Sequence, residues 1–152
     1  MNFKQKSVMF LATGCYIGTI SFAPGTLGSI LGLFLCYFLS KIGILSSLFL
    51  SITFVLIAMW IAHEAEILLK TKDPGCIVID EIAGMILTLI GLPFNMIMVV
   101  PGFILFRALD IWKPYPIRFF DKNLSGGVGV VMDDVAAGIL SNFILRILLM
   151  AI

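Results

Sequence analysis

Apolar positions dominate this chain in long stretches, and short polar clusters mark where each stretch ends. The longest, 44–62 (ILSSLFLSITFVLIAMWIA), matches the roughly 20 residues that cross a bilayer core as a helix. It closes on His63-Glu64-Ala65-Glu66, a polar helix end where Glu66 and Lys70 are spaced i, i+4 to pair on one face. Upstream, 30–39 is also apolar, and Lys41 and Gly43 separate it from the long run, so 27–40 reads as a shorter arm of a helical hairpin. Residues 14–29 (GCYIGTISFAPGTLGS) carry Gly14, Gly18, Gly25, Gly28 and Pro24, which predicts no regular helix there. Pro24-Gly25 reads as a turn, and Thr26 or Ser29 as the cap of the helix that follows.

Farther on, Lys72-Asp73-Pro74-Gly75 is a turn signal and Asp80-Glu81 opens a new apolar stretch, 82–106. Gly91–Asn95 interrupts it, and Pro101-Gly102 interrupts it again. For Asp80 and Asp110 to share a site, 82–106 must leave that site and return to it. A break at 91–95 leaves arms of about 10 residues, each about 15 Å long, half the hydrocarbon thickness of a membrane. The pattern predicts a broken, re-entrant or buried hairpin whose irregular tip is covered by protein or reaches water. Residues 121–132, with Gly126, Gly127 and Gly129, read as a flexible loop. Asp133 and Asp134 then fall at the start of a last helix reaching about Ile152, and Arg146 is placed to snorkel outward. The expected fold is all-α: one domain over 1–152, an integral membrane helical bundle containing a broken hairpin.

Composition agrees with this pattern. Of 152 residues, 61% are hydrophobic and 12% charged, with a mean hydropathy of +1.13. Soluble domains are about a quarter charged. With a net charge of +1, no nucleic-acid footprint is visible, and no nucleic-acid partner is expected. Cys15, Cys36 and Cys76 are odd in number and scattered, so neither a disulfide framework nor a zinc site is implied. Lys4 and Lys6 followed by VMFLATGC faintly resemble a lipoprotein signal ending at Cys15, but the apolar core Val8–Ala12 is shorter than the roughly 7–15 residues of such a segment.

Candidate chemistry gathers between Phe106 and Gly138, where four of the nine acidic and four of the ten basic residues lie. With Asp80-Glu81, the carboxylates form three clusters: Asp80-Glu81, Asp110 and Asp133-Asp134. Carboxylates beside lipid-facing sequence need partners, and a hard divalent cation with oxygen ligands, Mg²⁺, supplies one. Neighbours on a helix point about 100° apart, so one residue of each adjacent pair is expected to touch the ion and the other to orient it. Helix capping and ion pairs with Arg107, Lys113 and Arg118 would satisfy the same carboxylates without an ion. Arg107, Asp110 and Lys113, spaced i, i+3, i+6, line a shared helix face, and with Arg118 beyond Pro114 and Pro116 they describe a phosphate clamp. A basic loop attracted to anionic headgroups has the same composition, and the two readings agree if the substrate is an anionic lipid. The glycine loop at Thr26 and Ser29, feeding a helix N-terminus, also suits an anion. The single histidine, His63, disfavours His-based phosphatase chemistry and His-ligated zinc. There is no cysteine-phosphatase loop, no DxDx[TV] and no Walker A motif. Metal-assisted attack by water, with carboxylates holding the ion or acting as base, remains.

Four blocks of the chain resemble one known family. The first is Gly18-Thr19 with Phe22 through Ser29, and the second Asp73-Pro74-Gly75 with Ile77 through Met85. The third is Phe106-Arg107, Asp110, Lys113-Pro114, Pro116-Ile117-Arg118 and Asp121. The fourth is Gly126-Gly127-Val128-Gly129, Met132-Asp133-Asp134 and Ala137-Gly138. Taken in order over nearly the whole chain, they resemble phosphatidylglycerophosphatase A. The resemblance implies an all-helical bacterial inner-membrane enzyme that uses Mg²⁺ to hydrolyse phosphatidylglycerol phosphate to phosphatidylglycerol and phosphate; in a multi-pass chain the basic residues of 107–122 argue for a site facing the cytoplasm. The resemblance carries the acidic positions onto Asp80, Glu81, Asp110, Asp133 and Asp134 and the basic ones onto Arg107, Lys113 and Arg118. Glu66 and Asp73 match more loosely. Our reading of residue type makes the five carboxylates catalytic, with Asp80, Glu81, Asp110 and Asp134 as metal ligands, and adds Thr26 and Ser29 to the phosphate-binding set.

Two other classes compete. A CDP-alcohol phosphotransferase needs Asp-Gly and Ala-Arg pairs, but no Asp here precedes Gly and Phe precedes Arg107. A non-enzymatic membrane subunit or transporter would spread its acidic residues along helices instead of gathering them at helix ends and loops.

Overall fold

The computed structural model describes residues 2–151, the side chain of Asp121 excepted. The described residues form seven α-helices and no strand: α1 (Phe3–Ala12), α2 (Pro24–Leu39), α3 (Ile44–Leu69), α4 (Ile79–Leu89), α5 (Met96–Trp112), α6 (Ile117–Asn123) and α7 (Gly126–Ala151). A 3-10 turn, Ile17–Thr19, joins α1 to α2.

α3 and α7 have 26 residues each and are apolar enough to cross a membrane. At 1.5 Å per residue each is about 39 Å long, more than the roughly 30 Å hydrocarbon core. α3 buries small residues, among them Ser47, Ser51, Ala58, Ala62 and Ala65, and exposes Leu45, Phe49, Ile52, Leu56 and Trp60. A helix facing water does the reverse. Small residues inside and large apolar ones outside belong to a bundle that meets lipid.

α4 is the axis of the fold. Nine of its 11 residues are buried, and α2, α3, α5 and α7 surround it. It is about 16 Å long, so with the break at 90–95 and α5 it forms the hairpin that the sequence predicts. Glycines set how closely α4 is gripped. A Cβ on Gly138 of α7 would collide with the Gly84 carbonyl of α4, and one on Gly32 of α2 would lie 2.6 Å from Met85 Cβ. Such close backbone approach is how helices associate where no hydrophobic effect drives them.

Three sequence expectations are corrected. Residues 24–29 are helical, because α2 starts at Pro24, where the fixed φ of proline suits a first helical position, and Gly25 and Gly28 then pack on α4 instead of forming a loop. α5 runs unbroken through Pro101-Gly102: it forfeits the one hydrogen bond that proline cannot donate but keeps its packing, with Gly102 against Leu89 and Leu145. α7 begins at Gly126, so 126–132 is helix and not a flexible loop. Its glycines admit α3, since a Cβ on Gly127 would strike the Met59 carbonyl. Asp133 and Asp134 therefore lie inside α7, not at its positive end.

The hairpin tip is covered from α7. Asn142 Nδ2 donates to the carbonyls of Thr88 (2.9 Å) and Ile90 (3.0 Å). Arg146 donates from Nη2 to Ile90 O (3.1 Å) and from Nε to Asn142 Oδ1 (2.8 Å), so its guanidinium is turned to the tip and does not simply snorkel away. At the other end α1 buries Val8 and Ala12 in the core, and Ala12 O accepts from Val78 N (2.9 Å), which fixes the entry to α4.

Candidate active site

Asp80 and Glu81 occupy the first turn of α4, where the positive helix end favours carboxylates. Asp134 meets them from α7. One carboxylate oxygen from each of Asp80, Glu81 and Asp134 can be chosen so that all three lie within 4.8 Å of one another. Both members of the 80–81 pair reach this point, contrary to the expectation of one per pair, because the longer Glu81 side chain spans the angle between them. The 133–134 pair does divide: Asp133 turns away to Lys113, with Nζ 2.5 Å from Oδ2.

These carboxylates are deeply enclosed. Asp80 is 7% exposed and Asp134 3%. Asp80 Oδ1, Glu81 Oε2, Asp133 Oδ1 and Asp134 Oδ2 are buried without a hydrogen-bond partner. Burial, and then the charge of Glu81, push the Asp80 carboxyl well above the usual carboxylate range. Burial also raises Glu81, against a hydrogen bond with Asp80 and the Arg107 charge, which pull it down. Convergent buried oxygens with free lone pairs and like charge are costly unless a cation joins them. Hard oxygen donors of this kind fit Mg²⁺.

The cations sit on the other side. Arg107 Nη1 is 2.5 Å from Asp110 Oδ2 and 4.0 Å from Glu81 Oε1, and its Nε is buried without a partner. Asp110, expected as a fourth metal ligand, lies outside the convergent group of three: it is tied to Arg107 and acts on Glu81 and Asp134 electrostatically. Lys113 caps α5 in the left-handed region (φ 44°), which ends the helical face that its spacing predicts and sends its side chain across to α7. Arg118, on α6, is exposed, and among the described residues it makes no ion pair.

The start of α2 forms a wall of the site. A Cβ on Gly25 would collide with Glu81 Oε1 and lie 3.0 and 3.1 Å from Arg107 Nη2 and Nη1. Thr26 is half-buried in this first turn. Ser29 is a correction to the phosphate-binding set: it is fully buried and its hydroxyl donates to Gly25 O (2.8 Å), so its proton is used inside α2.

Sequence reasoning underrated Asp73. Glu66 Oε1 accepts from Asp73 N (2.8 Å) and, against the i, i+4 expectation, makes no ion pair with Lys70 among the described residues, since Lys70 leaves the helix at its left-handed cap; Asp73 acts on Asp80. The seven-residue spacing across the Asp-Pro-Gly turn was the available signal. The Asp121 side chain of the third motif block lies outside the described residues.

Acidic side chains thus converge from two helices of the bundle, with an arginine and a lysine beside them, a set of groups suited to a phosphorylated ligand. Residues 10–149 match the family model for phosphatidylglycerophosphatase A. A phosphatidylglycerophosphatase A of Escherichia coli K12 is 38% identical over 136 residues, covering 89% of this chain and 79% of the relative. One of Haemophilus influenzae Rd is 36% identical over 134 residues, covering 87% and 82%. A Bacteroides thetaiotaomicron protein, named as a candidate phosphatidylinositol-3-phosphatase, is 35% identical over 147 residues, 91% of each chain. No solved structure matches. The chain belongs to the phosphatidylglycerophosphatase A family and is a phosphatase. That membership removes the CDP-alcohol phosphotransferase and non-enzymatic readings.

Proposed function

We propose that the chain hydrolyses phosphatidylglycerol phosphate to phosphatidylglycerol and inorganic phosphate, with Mg²⁺ held by Asp80, Glu81 and Asp134 and with Asp110 at the edge of that set. The observation that carries this reading is the convergence of buried, unpartnered carboxylate oxygens from α4 and α7 beside Arg107 and Lys113. The ion, when bound, supplies Lewis-acid neutralisation of the phosphoryl oxygens and makes water more acidic. Arg107 offers a planar fork to two phosphate oxygens and Lys113 a point charge. Asp110 and Asp133 keep these cations aimed through their short ion pairs. We assign Asp133 Oδ1 as the base. It takes a proton from the attacking water as the water oxygen bonds to phosphorus, and the glycerol oxygen, leaving on the opposite side as the P–O bond breaks, takes its proton from solvent water. The first turn of α2, at Gly25 and Thr26, closes the phosphate side through its free N–H groups.

The same reading puts α3 and α7 across the bacterial inner membrane, with the hairpin entering partway. Lys4, Lys70, Lys72, Arg107, Lys113, Arg118 and Lys122 fall at the end that carries the site, whereas Lys41 and Arg146 fall at the hairpin-tip end. An excess of basic residues marks the cytoplasmic side. A second headgroup, phosphoinositide, is favoured only by the name of the Bacteroides relative.

The test is phosphate release by purified protein in detergent, with phosphatidylglycerol phosphate and phosphatidylinositol 3-phosphate compared, first with Mg²⁺ and then with EDTA. Release from the glycerol lipid that needs Mg²⁺ supports the reading. Release unaffected by EDTA removes the ion, and preference for the inositol lipid replaces the substrate.

A further inference from the structure

The rim of the site carries side chains that the chemistry leaves unused. Gly25 and Arg107 touch at its edge, and the chain leaves that contact in two directions. Three residues before Gly25, Phe22 is 84% exposed. Just over one turn beyond Arg107, Trp112 is 80% exposed, and Tyr115 follows at 84%. On α6, Ile117 is fully buried, while Arg118, Phe119 and Lys122 face outward. Phe22, Trp112 and Tyr115 lie outside the two long apolar helices, so exposure of a membrane span does not account for them. Tryptophan and tyrosine rings prefer the headgroup level of a bilayer, and basic side chains beside them complement anionic lipid.

We infer that Phe22, Trp112 and Tyr115 form an aromatic rim seated in the glycerol layer of an anionic bilayer. The substrate lipid passes it sideways to the carboxylates while Arg118 and Lys122 hold neighbouring headgroups. The occupant of the rim is the glycerol and first chain carbons of a phospholipid. Its kinetic consequence rests on the proposed phosphatase reaction, but its seating in lipid does not.

The chain has two tryptophans, so Trp60→Phe leaves Trp112 as the sole emitter. The full-length variant is reconstituted in phosphatidylglycerol vesicles brominated either near the glycerol or near the chain ends. Stronger quenching by the shallow bromines, with little by aqueous iodide, is expected. Quenching by iodide and by neither brominated lipid overturns the rim, as would cover by a soluble protein. In a second arm, the double variant W112A/Y115A is assayed on phosphatidylglycerol phosphate in vesicles and on its water-soluble dihexanoyl analogue. KM for the vesicle substrate should rise about tenfold, with kcat and turnover of the soluble analogue within about twofold. Equal losses on both substrates, or no change on either, overturn the inference. Shallow quenching in a protein that releases no phosphate from either substrate supports the rim and sinks the substrate assignment alone.

Discussion

The two ends of α4 are built from the same pair of helices and treat polar groups in opposite ways. At the hairpin tip, the carbonyls of Thr88 and Ile90 at the end of the helix receive donors from Asn142 and Arg146 of α7. At the other end, α7 brings Asp134 to Asp80 and Glu81 and hands Asp133 to Lys113, and one oxygen of each carboxylate is left buried and unpartnered. Among the described residues, only Ser141 has such a side-chain atom away from the site. The Gly84–Gly138 crossing lies between the two ends and sets how closely α7 approaches α4. The difference separates two uses of polar groups: the satisfied ones hold the hairpin in place, and the unsatisfied ones are those to which the proposed reaction assigns the ion and the phosphate.

Breaking the acidic end should have the largest effect. Asp134→Asn should lower phosphate release by about 10³-fold or more while the protein elutes and melts as the wild type, because removing one of several convergent like charges costs the fold nothing. Activity within tenfold of wild type would take Asp134 out of the mechanism. Lys113→Ala should be next, raising KM for the lipid phosphate by about 30-fold through loss of a charged contact, with weaker product inhibition by inorganic phosphate. An unchanged KM would confine Lys113 to its pair with Asp133.

At the tip the expectation reverses. Asn142→Leu should destabilise the protein by about 1–2 kcal/mol, read as a lower melting temperature in detergent, with kcat nearly unchanged. A fall in kcat without a fall in stability would show that the tip is coupled to the chemistry. The smallest effect is on pH dependence. Asp80 and Glu81 titrate higher folded than unfolded, so their contribution is fully present below about pH 4 and is lost as pH rises through the raised values. Protein in EDTA should melt lower at about pH 8 than at about pH 5, and Mg²⁺ should flatten that slope. A chelated protein that melts higher at about pH 8 would mean that ion pairs, not burial, govern the site.

Hydrophobic patterning made the helices legible where it was strong. The run 44–62 became most of α3, and the break at 91–95 became the hairpin tip. Glycine and proline misled because they have two uses. At 24–29 and 126–132 they read as loop, but they serve helices in close contact: Gly28 against Val78 and Gly127 against Met59. Pro101 read as a break, yet α5 tolerates it because the surrounding packing holds the helix. For the candidate site, residue type pointed to Asp80, Glu81, Asp110, Asp133 and Asp134, because charge beside apolar sequence needs a reason, and of these the structure gathers Asp80, Glu81 and Asp134. It could not distinguish the surface Ser29 of a phosphate loop from the buried Ser29 that bonds Gly25, nor reveal that Asp73 acts on Asp80.

The sequence by itself determined that the chain is helical, lipid-facing and acidic in three places, since these follow from composition and period along one dimension. Only the tertiary structure decided which carboxylates converge and which are bound to cations. Asp134 joins Asp80 and Glu81 while its neighbour Asp133 goes to Lys113, and that choice depends on how α7 is rotated against α4. The rotation is set by the backbone contact of Gly138 with Gly84, a short-range steric fact between residues more than fifty positions apart that no local pattern encodes.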